Sequence, residues 1–501
     1  MKVESAQSVL TFKSFAFRIF IVALVLRLIP VILARGLGIG LDDMFQYDML
    51  ARSIAAGNGF RWYAQVDLNQ LAAFVDFDLS GVKEYDPDLG IPTSFRAPLY
   101  PTFLAIVYFF TGMDFSRFFA ARLAQAIFLG APLAPLTYWV AKRLFPFSPF
   151  MKDERGKNHE KAARLAAWII ACYPMLLVYP LGLGTENPFF LLLLTSFLFL
   201  LKTHQQPTSA NFLLSGLFLG LTSLTRSVIL PFAGLALLWA WFILKNRRGA
   251  ILIGLAFALT ILPWVIRNSL LHQKLTGIET SMGYNLYLGY HPQGNGSFVF
   301  GPSLDLLTIL DDAERDRIGT EQAMEFIQAE PQRFILLAIN RLGFFFGLEK
   351  RVLMYFYSNN IIGYIPLPWL LTIAAILLLP FVAISVSAAF GLAYMRPRPE
   401  HILLILLFVG YILPHVFILS EDRFHLALVP YIAILAGHAW MSGLAPLRAR
   451  WDESSTGKLI VSLAIFAAFL LIVNWNFELI RDANKITQLL GPNGNQSHFP
   501  Y

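Results

Sequence analysis

Cysteine is nearly absent: Cys172 is the only one in 501 residues, which excludes an internal disulfide framework and any Cys-rich metal site. Charge is also scarce. Charged side chains make up 14% of the chain, against about 25% in an ordinary soluble protein. No Gly-x-x-x-x-Gly-Lys phosphate cradle occurs, and the Gly-rich stretch 294–301 has no strand–helix alternation around it. No A-x-A-like cleavage site follows the apolar segment Phe15–Val31, so that segment is expected to be a retained helix. No internal repeat and no low-complexity linker breaks the chain, and a single membrane domain over 1–501 is expected.

What the chain has in excess is apolar length. Hydrophobic residues make up 56% of it, with runs such as Phe189–Leu201, Ser227–Leu244, Leu367–Ala388 and Ile402–Leu419. About 20 apolar residues cross a hydrocarbon core of about 30 Å. Without water to satisfy backbone groups, such runs must be helices or a closed barrel. A barrel needs alternating residues, which are missing, so the fold class is an all-α polytopic membrane protein. Spans are predicted at 15–36, 117–141, 162–181, 188–202, 210–226, 227–244, 249–267, 364–391, 401–419, 424–443 and 458–477. Ala97–Thr111 and Phe334–Leu348 are apolar but short or interrupted and are assigned to the outer interface, giving about 11–13 transmembrane helices in all.

The formal charge of +7 is concentrated in short connections: Lys142 to Arg164, Lys245–Arg248, Arg396 with Arg398, and Arg448 with Arg450. The positive-inside rule places these in the cytoplasm. That distribution suits a membrane and not nucleic acid. The two long polar segments are acidic. Residues 37–95 carry nine acids against Arg52, Arg61 and Lys83, and residues 268–330 carry nine against Lys274, Arg315 and Arg317. The outer loops 37–116 and 268–363 are therefore expected on the extracytoplasmic side.

The chemistry-bearing residues lie at the outer helix ends. Asp43, Tyr47 and Leu50 share one helical face, Asp42 is suited to cap that helix, and Gly57-Asn58-Gly59 is suited to stop it. A helix-capping role accounts for these acids as well as a functional one does. Glu186, in Gly-Thr-Glu-Asn-Pro, starts another apolar run, where Thr185 offers a cap and the carboxylate complements the dipole. Arg96, Arg226, Arg267 and Arg423 lie on the same side. Singly, each suits snorkelling or salt bridging. As a set they call for an anion, and phosphate fits the guanidinium fork. The strings Asp76-Phe-Asp78 and Asp86-Pro-Asp88 are assigned to solvated loop acids. His272, His291, His415 and His425 lack zinc spacing, and a divalent metal is left open.

In order, the chain reads Asp43 with Tyr47-Asp48, Gly-Asn-Gly-Phe (57–60), Thr-Ser-Phe-Arg-Ala-Pro-Leu-Tyr-Pro (93–101), Thr-Glu-Asn-Pro-Phe (185–189), Leu-Thr-Arg (224–226), Pro-Trp-Val-Ile-Arg-Asn (263–268), Gly-Tyr-Asn-Leu-Tyr-Leu-Gly (283–289) and Arg-Phe-His-Leu-Ala-Leu-Val-Pro (423–430). This ordered set resembles the bacterial GT-C membrane glycosyltransferases, relatives of the protein O-mannosyltransferases and the lipid A aminoarabinose transferases, over most of residues 15–445. The resemblance implies a hexosyl or pentosyl donor on a polyprenyl phosphate and inverting transfer to a lipid, glycan or protein acceptor. It places the enzyme in the inner membrane of a bacterial cell envelope, with its active site facing outward. Asp43 stands at the family's first-loop acid, with Asp42 beside it as the second candidate, and Glu186 stands at the acid of the second outer loop. Arg96, Arg226, Arg267 and Arg423 are then the expected donor-phosphate ligands. Arg96 sits in Arg-Ala-Pro, where the aminoarabinose transferases carry Lys-Pro-Pro. Tyr47, Tyr284 and Asn285 are expected to contact substrate.

Two other classes compete. A lipid-linked sugar transporter or flippase favours ionisable groups near mid-membrane and repeated halves. A non-catalytic assembly subunit needs neither the acids nor the arginines.

Overall fold

The computed structural model describes residues 14–77, 79, 85–145 and 154–499. The expectations for Asp78, Lys83 and Lys152 lie outside these residues. Within them the protein is a helical membrane protein with one small antiparallel ribbon, β1 (Arg61–Trp62) paired to β2 (Ile91–Pro92).

The helices that organise the site run as follows: α1 (Phe15–Leu33), α2 (Asp43–Ala55), α3 (Leu99–Thr111), α4 (Arg117–Leu144), α5 (Asn158–Cys172), α6 (Pro174–Leu181), α7 (Glu186–Gln205), α8 (Ser209–Ser223), α9 (Ser227–Ile243), α10 (Arg247–His272), α11 (Met282–Tyr290), α12 (Asp312–Ala329), α13 (Pro331–Phe345), α14 (Leu367–Ala393), α15 (Pro399–Phe417), α16 (Phe424–Ser442) and α17 (Ser455–Arg481). Among the described residues, eight are long and apolar enough to cross a membrane: α1, α4, α7, α10 and α14 to α17. The pair α5 and α6 makes a ninth if it is one span bent by 50°. The predicted continuous span 162–181 is therefore interrupted, because Pro174 lacks the N–H that would continue α5. α3, α8 and α9 are shorter apolar helices. The 15 residues of α8 reach about 22 Å at about 1.5 Å per residue, so the two runs predicted as full spans at 210–226 and 227–244 are the short members of the set.

α3 and α13 each bury one face and leave apolar side chains exposed on the other. α3 buries Tyr100, Leu104 and Tyr108 and exposes Ile106, Phe109 and Phe110, while α13 buries Leu337, Arg341 and Phe345 and exposes Ile335, Leu336 and Ile339.

The helices are unequal in position. α16 is 89% buried and α10 only 17%, so α16 is the central post and α10 is peripheral. α8 approaches α10 closely through Gly216 and Gly220, four residues apart. A methyl group on Gly216 would sit 2.2 Å from the Ile253 carbonyl oxygen, and one on Gly220 would sit 2.6 Å from Thr260. This is the small-residue packing that lets membrane helices touch along their backbones.

The two long polar segments, 37–116 and 268–363, share a core. Phe45, Met49, Leu50, Trp62, Tyr63 and Phe95 from the first pack with Leu310 from the second. Asp312 ties them, accepting from Thr93 Oγ1 at 2.6 Å and from the Ser94 amide at 2.7 Å. Within the first segment, buried Asp48 accepts from Arg117 Nε and Nη2 (2.8 and 2.9 Å), Arg52 Nε (2.8 Å) and the Tyr108 hydroxyl (3.0 Å). It thus joins α2 to α3 and α4. Removing one partner of a buried pair leaves uncompensated charge and costs about 3–5 kcal/mol. Asp48→Ala is therefore expected to lower the thermal unfolding temperature in detergent clearly, whatever the protein catalyses. An unchanged temperature would show that this net is solvated.

Candidate active site at the helix ends

α2 begins where its chemistry says it should. The Asp42 side chain accepts from the Met44 amide at 2.8 Å and caps the helix. The helix stops at Gly57 and Gly59, whose φ values of +84° and +82° suit residues without a Cβ. Asp42 is thereby a capping residue on the exposed surface, and it accounts for the doubled acid. Asp43, the first helical residue, turns the other way. Its Oδ1 pairs with Arg96 Nη2 and its Oδ2 lies 3.3 Å from Arg423 Nη2, with 38% of the side chain exposed.

Arg96 is held from several sides. Its Nε and Nη2 donate to Gln46 Oε1 at 2.8 and 2.6 Å. Gln46 lies three residues after Asp43, on the same face of α2. The guanidinium also lies over the rings of Tyr47 and Phe95, 5.3 and 5.1 Å from their centroids. Tyr47 is buried edge-on against Tyr100 at 5.1 Å.

Glu186 opens α7 and is only 6% exposed. Thr185 makes no side-chain cap there. The carboxylate is paired instead with Arg226 Nη1 at 2.7 Å, and Arg423 Nη1 lies 3.7 Å away. Arg226 reaches it from the extended break between α8 and α9, with backbone φ −151° and ψ 117°. Arg423 stands at the mouth of the central helix α16 and joins the two acids. It also contacts Glu421 Oε2 at 2.7 Å, and that carboxylate is shared with Arg351 Nη2 at 3.1 Å.

Asp43 and Glu186, 143 positions apart in sequence, thus meet through one guanidinium. Each arginine of the cluster already has a carboxylate partner, so an incoming anion would share these guanidiniums with the acids.

The electrostatics follow from this crowding. Burial pushes the Asp43 carboxyl up, but the Arg96 and Arg423 guanidiniums outweigh it and hold the group well below the usual carboxylate range. Burial likewise opposes ionisation of Glu421, and Arg423 and Arg351 reverse the sign. Burial raises the Tyr47 phenol to about 12, against the pull of Arg96. A carboxyl depressed in the folded state contributes stability above its ordinary value, and that contribution is lost as pH falls through the folded value. The difference in unfolding temperature between wild type and Asp43→Asn is therefore expected to be the same at pH 8 and pH 5, and to shrink only below about pH 4. A difference that collapses between pH 8 and pH 5 would place the Asp43 carboxyl above its ordinary range.

The remaining sequence candidates divide. Arg267 is outside the cluster: it donates to the Thr93 carbonyl at 2.5 Å and the Phe60 carbonyl at 3.3 Å, and lies over the Trp264 ring. It has the same occupation as the buried Arg27, Arg122 and Arg341, which collect carbonyl oxygens where helices end or break. Tyr284 stands near the cluster, edge-on to Phe95 at 5.5 Å, with its hydroxyl donating to the Ser303 carbonyl at 3.2 Å. Asn285 enters none of the hydrogen bonds described for the cluster. Asp86 closes its own turn by accepting from the amides of Asp88 and Leu89. Among the described residues no group of three or more His, Cys, Asp or Glu side chains is placed to hold a metal ion.

Gln46, Glu421 and Arg351 were not anticipated. Gln46 was findable, because it follows Asp43 by one helical turn. Glu421 lies two residues before Arg423 in the sequence. Arg351 begins the short helix Arg351–Ser358 with no local signal, and only the fold brings it near.

No protein-family model and no curated protein matches the chain. Among solved structures, the chain is similar to the crystal structure of ArnT from Cupriavidus metallidurans bound to undecaprenyl phosphate, with 14% identity and a TM-score of 0.47 over 97% of this chain and 75% of that one.

Proposed function

We propose that the protein is a membrane glycosyltransferase that moves a sugar from a polyprenyl-phosphate donor to a lipid, glycan or protein acceptor at the outer face of the membrane, with inversion. The observation that carries the reading is the meeting of Asp43 and Glu186 through Arg423. Buried charges among apolar helices are expensive and are kept where chemistry uses them. The ordered motifs that resemble the GT-C enzymes support the same reading from sequence.

The reaction suits the groups present. An acceptor hydroxyl attacks C1 of the sugar and its proton passes to Asp43. The C1–O bond to phosphate breaks and the polyprenyl phosphate leaves as an anion. A phosphate leaving group needs stabilisation of its growing charge more than it needs a general acid, and Arg96, Arg226 and Arg423 supply it. The phosphate takes guanidinium N–H groups that Asp43 uses at rest. Donor binding therefore loosens the pairs that hold Asp43 ionised and raises its basicity when a base is required.

The flippase reading is served less well, because these charges gather at helix ends on one side of the bundle, and no repeated halves are evident. The test is transfer by purified protein in lipid, using radiolabelled polyprenyl-phosphate sugars and envelope extract as acceptor, with and without chelator. Transfer is expected in both arms. Transfer lost with chelator assigns the charge stabilisation to a metal ion. No transfer from any donor, with donor movement across liposomes, would replace the proposal by a flippase.

A further inference from the structure

Behind the carboxylate cluster lies a second polar group that the proposed reaction does not use. Glu349, His425 and Tyr173 are each no more than 1% exposed. Glu349 Oε1 accepts from the Tyr173 hydroxyl at 2.6 Å and lies 3.0 Å from His425 Nε2. His425 Nδ1 is 2.7 Å from the Phe345 carbonyl oxygen. A carbonyl only accepts, so Nδ1 carries a proton. One further proton then lies between Nε2 and Oε1, and the pair is neutral overall whichever atom holds it. The imidazole is also stacked on Phe381, 4.0 Å between centroids and 16° between planes. Hydrogen bonds at both nitrogens and a ring against its face leave the imidazole no freedom to turn.

The pair's place in the chain is what gives it a role. Glu349 precedes Arg351 by two residues, and His425 follows Arg423 by two. The Glu349–His425 hydrogen bond therefore ties the two segments that carry these arginines, and both arginines then reach one carboxylate, Glu421, at 3.1 and 2.7 Å. Stability alone does not explain the pair, since replacing a buried ionic pair by well-packed apolar side chains is often neutral or favourable. What an apolar pair does not supply is direction.

We infer that Glu349 and His425 are positioning residues that set Arg351 and Arg423 for a lipid phosphate. The inference rests on the phosphate reading of Arg423 under Proposed function and adds Arg351 to it, and its test separates the two. Binding of farnesyl phosphate and of farnesol is measured on the full-length protein in detergent micelles, alongside thermal unfolding. Wild type is expected to prefer the phosphate. Glu349→Leu and His425→Phe are expected to lose about tenfold of that preference, as for a charged hydrogen bond put out of place. Glu349→Gln keeps hydrogen bonds to both neighbours and is expected to stay within about twofold of wild type.

A folded Glu349→Leu protein with full preference overturns the inference, as does a Glu349→Gln protein as weak as Glu349→Leu. Failure of both apolar variants to fold assigns the pair to core stability and overturns it too. A wild type without any preference strikes the phosphate reading itself and takes the positioning role down with it.

Discussion

Asp43→Asn is expected to lower the turnover rate by about 100- to 10,000-fold, the range of a lost general base, while the protein stays folded. The side chain is 38% exposed at the start of a helix whose cap is the neighbouring Asp42, so the isosteric amide leaves the helix start intact. Arg96 retains both of its hydrogen bonds to Gln46. Donor binding should change little or improve, because the amide no longer competes with phosphate for guanidinium N–H groups. The measurement is transfer rate at saturating donor, with unfolding temperature as the control for folding. A fully active Asp43→Asn enzyme removes the base assignment, and Asp42→Asn becomes the next variant to test.

The second large effect is expected at Arg423. Arg423→Gln removes the one guanidinium that reaches Asp43, Glu186 and Glu421 together. Each of these acids keeps another partner: Arg96 for Asp43, Arg226 for Glu186 and Arg351 for Glu421. The fold is therefore expected to survive, while affinity for the donor falls. A hydrogen bond to a charged group is worth about 1.5–3 kcal/mol, which is about 10- to 100-fold in affinity.

Because charge on the phosphate grows as the C1–O bond breaks, kcat/KM should fall further than affinity alone. Arg226→Gln should behave differently. It leaves Glu186, 6% exposed, with the 3.7 Å contact to Arg423 as its remaining arginine, so a loss of stability should come on top of the loss of donor affinity. Donor KM and polyprenyl-phosphate binding for the two variants, set beside their unfolding temperatures, check this contrast. Unchanged donor binding in Arg423→Gln would move the phosphate away from the cluster.

Much of the fold was legible because its causes are local. Apolar runs longer than a bilayer core declare themselves whatever they pack against. The capped start of α2, its face carrying Asp43 and Tyr47, and its stop at Gly57 and Gly59 all follow from side chains within a few residues of one another. The break at Tyr173 was not called, although Pro174 was in plain view. A proline inside a long apolar run either kinks a helix or is absorbed by it, and the neighbours decide.

The arginines mark the boundary most clearly. From sequence, Arg96, Arg226, Arg267 and Arg423 formed one set: basic residues at outer helix ends. A guanidinium donates equally well to a carboxylate or to a backbone carbonyl, so nothing local separates the two uses. Packing separates them. Arg267 faces the carbonyls of Phe60 and Thr93, while Arg423 faces Asp43 and Glu186 from two distant segments as well as Glu421 beside it. Sequence by itself determined that this chain crosses a membrane and carries acids at the starts of two helices, because apolar length and helix capping are local properties. Which charges meet was decided by tertiary structure alone, since that pairing depends on helices brought together across hundreds of residues.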